Sequence, residues 1–135
     1  MSDCNPKPTP LPTGINLSDL NSPQNEADCS FMKDKPYTEA LGCLMWAQVA
    51  TRPNLSFAVN VLSRYQANPG PAHWNVILHT FAYVKGTLNY RITYYQGSAN
   101  KLKPVSYVDA DYGGNPDTCC STSGYVFMMA GGPVS

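Results

Sequence analysis

From Tyr37 onward the apolar positions fall into helical spacing. Tyr37, Leu41, Leu44, Met45 and Gln48 recur at three- and four-residue steps, as one face of a helix requires. Pro36 suits the first turn of that helix. Pro53 sets its end, because a proline drives the preceding residue out of the helical region. Leu55, Ala58, Val59 and Leu62 predict a second helix running to about Ala67, where Asn68-Pro69-Gly70-Pro71 breaks it by turn chemistry. A third stripe, Trp74, Ile77, Leu78, Phe81 and Val84, predicts a helix with Pro71 near its first turn and Gly86 as its C-cap. Three amphipathic helices on short links hide their apolar faces only by packing together.

After Gly86 the pattern turns to strand composition. Tyr90-Arg91-Ile92-Thr93-Tyr94-Tyr95 is rich in β-branched and aromatic residues and predicts a strand. A loop over Gln96 to Leu102 leads to a second strand, Pro104 to Ala110. The glycines and Asn115-Pro116 make Asp111 to Thr122 a loop before a third strand, Gly124 to Ala130. Ahead of Tyr37 lie six of the twelve prolines and few large apolar residues besides Leu11, Ile15, Leu17, Leu20 and Phe31. That composition predicts an extended, irregular arm. The expected fold class is α+β: an arm over 1–36, a helical segment over 37–103 that includes one strand, and the strands of 104–135. About three strands in all form an incomplete antiparallel sheet.

Composition changes this picture in two ways. Only 13% of the residues are charged, against 43% hydrophobic, so some apolar surface is expected to need cover from a neighbour. Nine Lys and Arg balance nine Asp and Glu, which excludes a global positive field drawing the chain to nucleic acid. Residues 37–95 carry a small local excess, Arg52, Arg64, Lys85 and Arg91 against Glu39. The five cysteines are odd in number and lack zinc-finger spacing, which reads as reduced thiols in an intracellular, cytoplasmic or nuclear, protein. Ala40 to Thr51, the longest weakly polar run, is too short to cross a bilayer, so no membrane partner is expected.

Several blocks in order carry a resemblance. Residues Thr51-Arg52-Pro53-Asn54-Leu55-Ser56-Phe57-Ala58-Val59-Asn60-Val61-Leu62-Ser63-Arg64, then Pro71-Ala72-His73-Trp74 and Tyr83-Val84-Lys85-Gly86-Thr87, resemble the C-terminal part of a copia-type retrotransposon reverse transcriptase. Tyr107-Val108-Asp109-Ala110-Asp111-Tyr112-Gly113-Gly114 and Ser121-Thr122-Ser123-Gly124-Tyr125-Val126-Phe127 resemble the opening strands of the ribonuclease H domain that follows it in such polyproteins. Met1-Ser2-Asp3-Cys4, with Thr9-Pro10-Leu11-Pro12, resembles the segment leading out of the polymerase palm. The chain departs from the pattern at Cys119-Cys120, where the family often has two arginines. It departs again at Asn54, usually an aspartate, and at Asn75, Val76, Ile77 and His79, where relatives tend to carry basic residues.

The resemblance implies thumb and connection helices that grip an RNA/DNA hybrid or template-primer duplex, with Arg52, Arg64, His73 and Lys85 as candidate contacts. The missing palm and ribonuclease H segments are then expected as packing partners. It implies that Asp109 is the first of four metal-ligating carboxylates of ribonuclease H. Such a site holds two Mg²⁺ ions and needs several carboxylates at one point. The polymerase's paired aspartates are expected to lie before Met1 and the other ribonuclease H carboxylates after Ser135. The isolated chain is therefore expected to be catalytically incomplete and without a metal cofactor, although the parent family uses Mg²⁺. For Asp109 and Asp111 the plainer reading is a pair flanking a turn. Trp74 reads as a core anchor, His73 as partly exposed and His79 as solvent-facing. The alternative function is a small helical module, retained by a host, that binds nucleic acid or protein.

Overall fold

Pro36, Pro53 and Pro71 fall where helical segments begin, and they divide the first part of the chain as the sequence predicts. A computed structural model of the protein describes residues 4–95 and 103–134. Two compact units make it up, one ending at Tyr90 and one starting at Arg91. The first contains helices α1 (Glu26–Lys33), α2 (Tyr37–Ala50), α3 (Ser56–Ser63) and α4 (Pro71–Gly86), with 3-10 turns at Asp19–Asn21 and Pro53–Leu55. The second contains β1 (Val105–Ala110), β2 (Ser123–Met129) and the short β3 (Gly132–Pro133). This is an α+β fold whose sheet is open.

The core of the helical unit is aliphatic. Leu41 and Leu44 of α2 meet Leu55, Val59 and Leu62 from the second helical segment and Val76 and Ile77 of α4. Each fully buried side chain of this kind contributes about 1.5–3 kcal/mol relative to exposure. Two phenols reach across the core to main-chain oxygens. Tyr37 Oη donates to Leu62 O at 2.8 Å, and Tyr65 Oη donates to Leu17 O at 2.7 Å. Burial, and to a smaller extent neighbouring Tyr65, pushes the Tyr37 phenol well above its ordinary value.

Four details differ from the sequence expectation. First, the arm is not irregular throughout. Asn25 caps α1 by accepting from Asp28 N at 2.8 Å, with Glu26 and Asp28 in the first turn and Lys33 in the last, as the helix dipole favours. The arm also packs on α4: Lys7 N donates to Ala82 O, and Thr80 Oγ1 donates to Pro10 O at 2.9 Å. Second, α3 ends at Ser63, short of Ala67, and residues 64–67 form turns.

Third, α4 is rotated relative to the predicted stripe. Its buried positions are His73, Val76, Ile77, Thr80, Ala82 and Tyr83, while Leu78 is exposed. The arm covers a side of α4 that a three-helix arrangement leaves in solvent, so small and polar residues are buried along with the aliphatic ones. Fourth, Tyr90 to Tyr95 is not a strand. Its one main-chain tie to the sheet among the described residues is Tyr95 N to Ala130 O at 2.8 Å, and Gly132–Pro133 is the third strand in its place. Residues 91–95 and 103, read from sequence with the helices, fall in the second unit. The loop expected over Gln96 to Leu102 lies outside the described residues.

The sheet order is β1-β2-β3, antiparallel throughout. Register places Val105 opposite Met128, Tyr107 opposite Val126 and Asp109 opposite Gly124 on one face. Ser106 with Phe127, Val108 with Tyr125 and Ala110 with Ser123 share the other. Apolar residues on both faces are the mark of strands meant for cover on both sides.

Candidate nucleic-acid and metal site

Arg52 lies inside the helical unit, only 7% exposed. Its guanidinium donates to Thr87 O at 3.0 Å, to Thr87 Oγ1 at 2.5 Å and to Asn54 Oδ1 at 3.3 Å. It also stands over the rings of Tyr83 and Tyr90, 5.7 and 5.8 Å from their centroids. Asn54 Nδ2 in turn donates to Tyr83 Oη at 2.5 Å. This network joins the turn before α3 to the C-terminus of α4, where unsatisfied carbonyls attract a cation. The planar fork of donors is spent on the fold.

His73 is fully buried, not partly exposed as expected from sequence. Its Nδ1 accepts from Gly70 N at 2.9 Å, and its ring stacks on Tyr65 with centroids 4.2 Å apart. Placed three residues into α4, it caps a main-chain donor just before the helix. Gly70 is needed there, since a Cβ would stand 1.9 Å from Asn21 O. His79, expected in solvent, is half-buried with Nε2 at 3.0 Å from Thr9 O. Trp74 is partly buried against the core.

Arg64 and Lys85 remain partly exposed. Arg64 Nη2 donates to Asn60 Oδ1 at 2.9 Å, and Lys85 Nζ donates to Cys4 O at 2.9 Å. The four residues singled out as phosphate contacts are thus not presented together. Two are interior groups, and two are tethered cations at the surface.

Asp109 stands on the exposed sheet, where Oδ1 accepts from Ala110 N at 2.9 Å. Gly124 opposite leaves open space beside it. Asp111, just past the strand, closes the hairpin loop. Its main-chain N donates to Thr122 O, and its Oδ1 accepts from Thr122 N at 2.5 Å. Gly114 lies against this carboxylate, where a Cβ would come within 2.0 Å of Oδ2. Ser121 Oγ accepts from Gly113 N, and Asn115 Oδ1 accepts from Asp117 N, so the loop is held by its own polar side chains. Cys119 and Cys120 are exposed free thiols in that loop, Cys119 at φ 54°. Among the described residues, no group of three or more His, Cys, Asp and Glu side chains converges as a metal site. No helix among them is long and apolar enough to cross a membrane.

The chain is 37% identical, over its whole length, to the retrovirus-related Pol polyprotein from transposon TNT 1-94 of Nicotiana tabacum, of which it spans 10%. It is 40% identical over 77% of its length to the secreted RxLR effector protein 161 of Plasmopara viticola, of which it spans 72%. It is also 30% identical over 98% of its length to a putative transposon Ty5-1 protein of Saccharomyces cerevisiae, of which it spans 38%. No protein-family model matches the chain, and no solved structure matches it. The chain is thus similar to a short segment of the retrovirus-related Pol polyproteins of transposons, of which it spans a small part.

Proposed function

We propose that this segment is the thumb and connection of a copia-type reverse transcriptase running into the first strands of its ribonuclease H. In the parent polyprotein it would help to hold the RNA/DNA hybrid and pass it toward the ribonuclease H site. The observation that carries this reading is the placement of Asp109. It stands on an open antiparallel sheet, beside a strand position that has no side chain, where further carboxylates could meet it. The helical unit precedes that sheet in the order expected of a thumb.

By itself the segment contributes one carboxylate to chemistry that needs a cluster, so the reading makes it catalytically incomplete. Hybrid binding by the isolated chain is expected to be weak. With Arg52 and His73 committed to the interior, Arg64 and Lys85 are the remaining candidates in the helical unit. Two phosphate contacts give a shallow salt dependence, with log K falling by about two per tenfold rise in salt. Fluorescence anisotropy of a labelled RNA/DNA hybrid, titrated at several salt concentrations, tests this. Losses in affinity for Arg64→Ala and Lys85→Ala support the reading, and affinity unchanged in both variants overturns the contact assignment.

A second reading is favoured by one observation: the effector relative, 72% spanned by this chain, carries most of the same segment without a full polyprotein. The helical unit also has its own core. In that case the segment serves as a free-standing helical module that binds a protein or nucleic acid. A cooperative thermal transition of the helical unit alone, together with no affinity for hybrid, would favour it.

A further inference from the structure

The loop between β1 and β2 carries two thiols that the function assigned above does not use. Cys119 and Cys120 are neighbours in the chain, both exposed and neither in a disulfide. One residue pins the main chain of both. Cys119 N donates to Asn115 O at 2.8 Å, and Asn115 N donates to Cys120 O at 3.2 Å. Asp111 and Thr122 close the same loop where it meets the strands. Cys119 stands at φ 54°, in the left-handed region that a residue with a Cβ seldom adopts. Two soft sulfur donors thus leave neighbouring positions of a closed loop, and solvent reaches both.

We propose that Cys119 and Cys120 form a chelating dithiol for a thiophilic centre that brings its own third substituent, a monosubstituted trivalent arsenical. Ligand number sets zinc aside, since a structural zinc takes four protein ligands. Among the described residues, no group of three or more His, Cys, Asp and Glu side chains converges. Reach sets a disulfide between the two thiols aside. Neighbouring Cα atoms lie about 3.8 Å apart across a trans peptide, short of the roughly 4.4–6.8 Å that disulfides ordinarily span, so the bond would be strained and readily reduced. One arsenic atom set between the sulfurs enlarges the ring and relieves that conflict. Trivalent arsenic makes three bonds in a pyramid, two to protein sulfur and one to its carbon substituent, so no third protein ligand is required. The step is an exchange without change of oxidation state. As each As–S bond forms, the thiol proton leaves with an arsenic-bound hydroxyl as water, so one hydrated arsenical and two thiols give one cyclic adduct and two waters. After the first bond forms, the second thiol attacks at a high effective concentration, which separates a vicinal pair from the single thiols Cys4, Cys29 and Cys43.

Intact-mass spectrometry of the full chain, reduced and incubated with phenylarsine oxide, tests the proposal independently of the function assigned above. The expected result is one adduct per chain that survives a wash in excess 2-mercaptoethanol, a monothiol, and is removed by 2,3-dimercaptopropanol. Cys119→Ser and Cys120→Ser are each expected to lose the adduct in the monothiol wash, whereas Cys29→Ser and Cys43→Ser retain it. The bonds that Cys119 and Cys120 make in the loop are main-chain bonds, so the serine variants keep its fold, and an unchanged circular dichroism spectrum checks this. A wild-type chain that keeps no adduct through the monothiol wash overturns the proposal. An adduct that persists undiminished in both Cys119→Ser and Cys120→Ser, or one that joins two chains, overturns it as well.

Discussion

The guanidinium of Arg52 is bonded to both the carbonyl and the hydroxyl of Thr87, 35 residues further along the chain. Thr87 Oγ1 also donates to Tyr83 O at 2.8 Å, so the C-terminus of α4 is closed by an internal cation and a hydroxyl together. An arginine that sequence places among candidate phosphate contacts therefore sits where it fixes the angle between the start of α3 and the end of α4.

Arg52→Ala is expected to destabilise the helical unit by about 2–4 kcal/mol, because buried carbonyl and hydroxyl groups lose a charged donor. Arg52→Lys should recover only part of that loss, since an ammonium cannot reproduce the planar fork. Urea unfolding of both variants measures the difference. Equal stability of Arg52→Lys and wild type would show that the fork geometry does not matter.

The Gly70 position is expected to tolerate no side chain. Gly70→Ala places a Cβ against Asn21 O and should cost about 1–3 kcal/mol through displacement of the 3-10 turn from α4. Thermal melting followed by circular dichroism reads the loss directly. Gly124→Ala, where a Cβ meets nothing, is the control expected to leave the melt of the helical unit unchanged.

Stability should fall in alkali through Tyr37. Its phenol is neutral and bonded to Leu62 O in the folded chain, and burial holds its pKa above the unfolded value. The stabilisation is fully present below about pH 10, where the unfolded phenol begins to ionise, and it is lost as pH rises toward the folded pKa. The contribution to the slope approaches about 1.4 kcal/mol per pH unit. Tyr37→Phe should cost about 1 kcal/mol at neutral pH and flatten the alkaline decline. Denaturant midpoints between pH 8 and 11 measure both effects.

Removal of residues 1–36 is expected to unfold the helical unit and not merely to trim it. Leu17 is in the core, and Lys85, Thr80, Tyr65 and Ala82 all bond to arm atoms. Limited proteolysis and circular dichroism of the truncated chain test this. A native-like melt would mean that the arm is accessory.

The sequence made α2 and the second helix legible because Tyr37, Leu41 and Leu44, and the aliphatic residues of the second helix, repeat on one face and prolines mark their starts; Met45, read onto the same face of α2, is instead 46% exposed, since it lies at the edge of that face. Leu55, Ala58, Val59 and Leu62 are all buried as predicted. The arm's helix was missed under the weight of its prolines, although Asn25 with Glu26, Asp28 and Lys33 spells a capped, dipole-matched segment. His73 and Thr80 were missed because polarity argues against burial unless a partner is known. The partners here, Gly70 N and Pro10 O, are fixed only by the folded chain. Tyr90 to Tyr95 has the composition of a strand, but strand pairing is a tertiary property that composition does not decide. At the candidate metal site, the exposure of Asp109 was not readable, whereas the turn-forming role of Asp111 followed from its neighbours Gly113, Gly114 and Asn115.

Incubation of the purified chain with an RNA/DNA hybrid and Mg²⁺ most directly tests whether this segment is catalytically incomplete. The expected result is no cleavage above a protein-free blank, at any Mg²⁺ concentration and without difference between wild type and Asp109→Asn. Mg²⁺-dependent cleavage by the wild type that Asp109→Asn abolishes would contradict it.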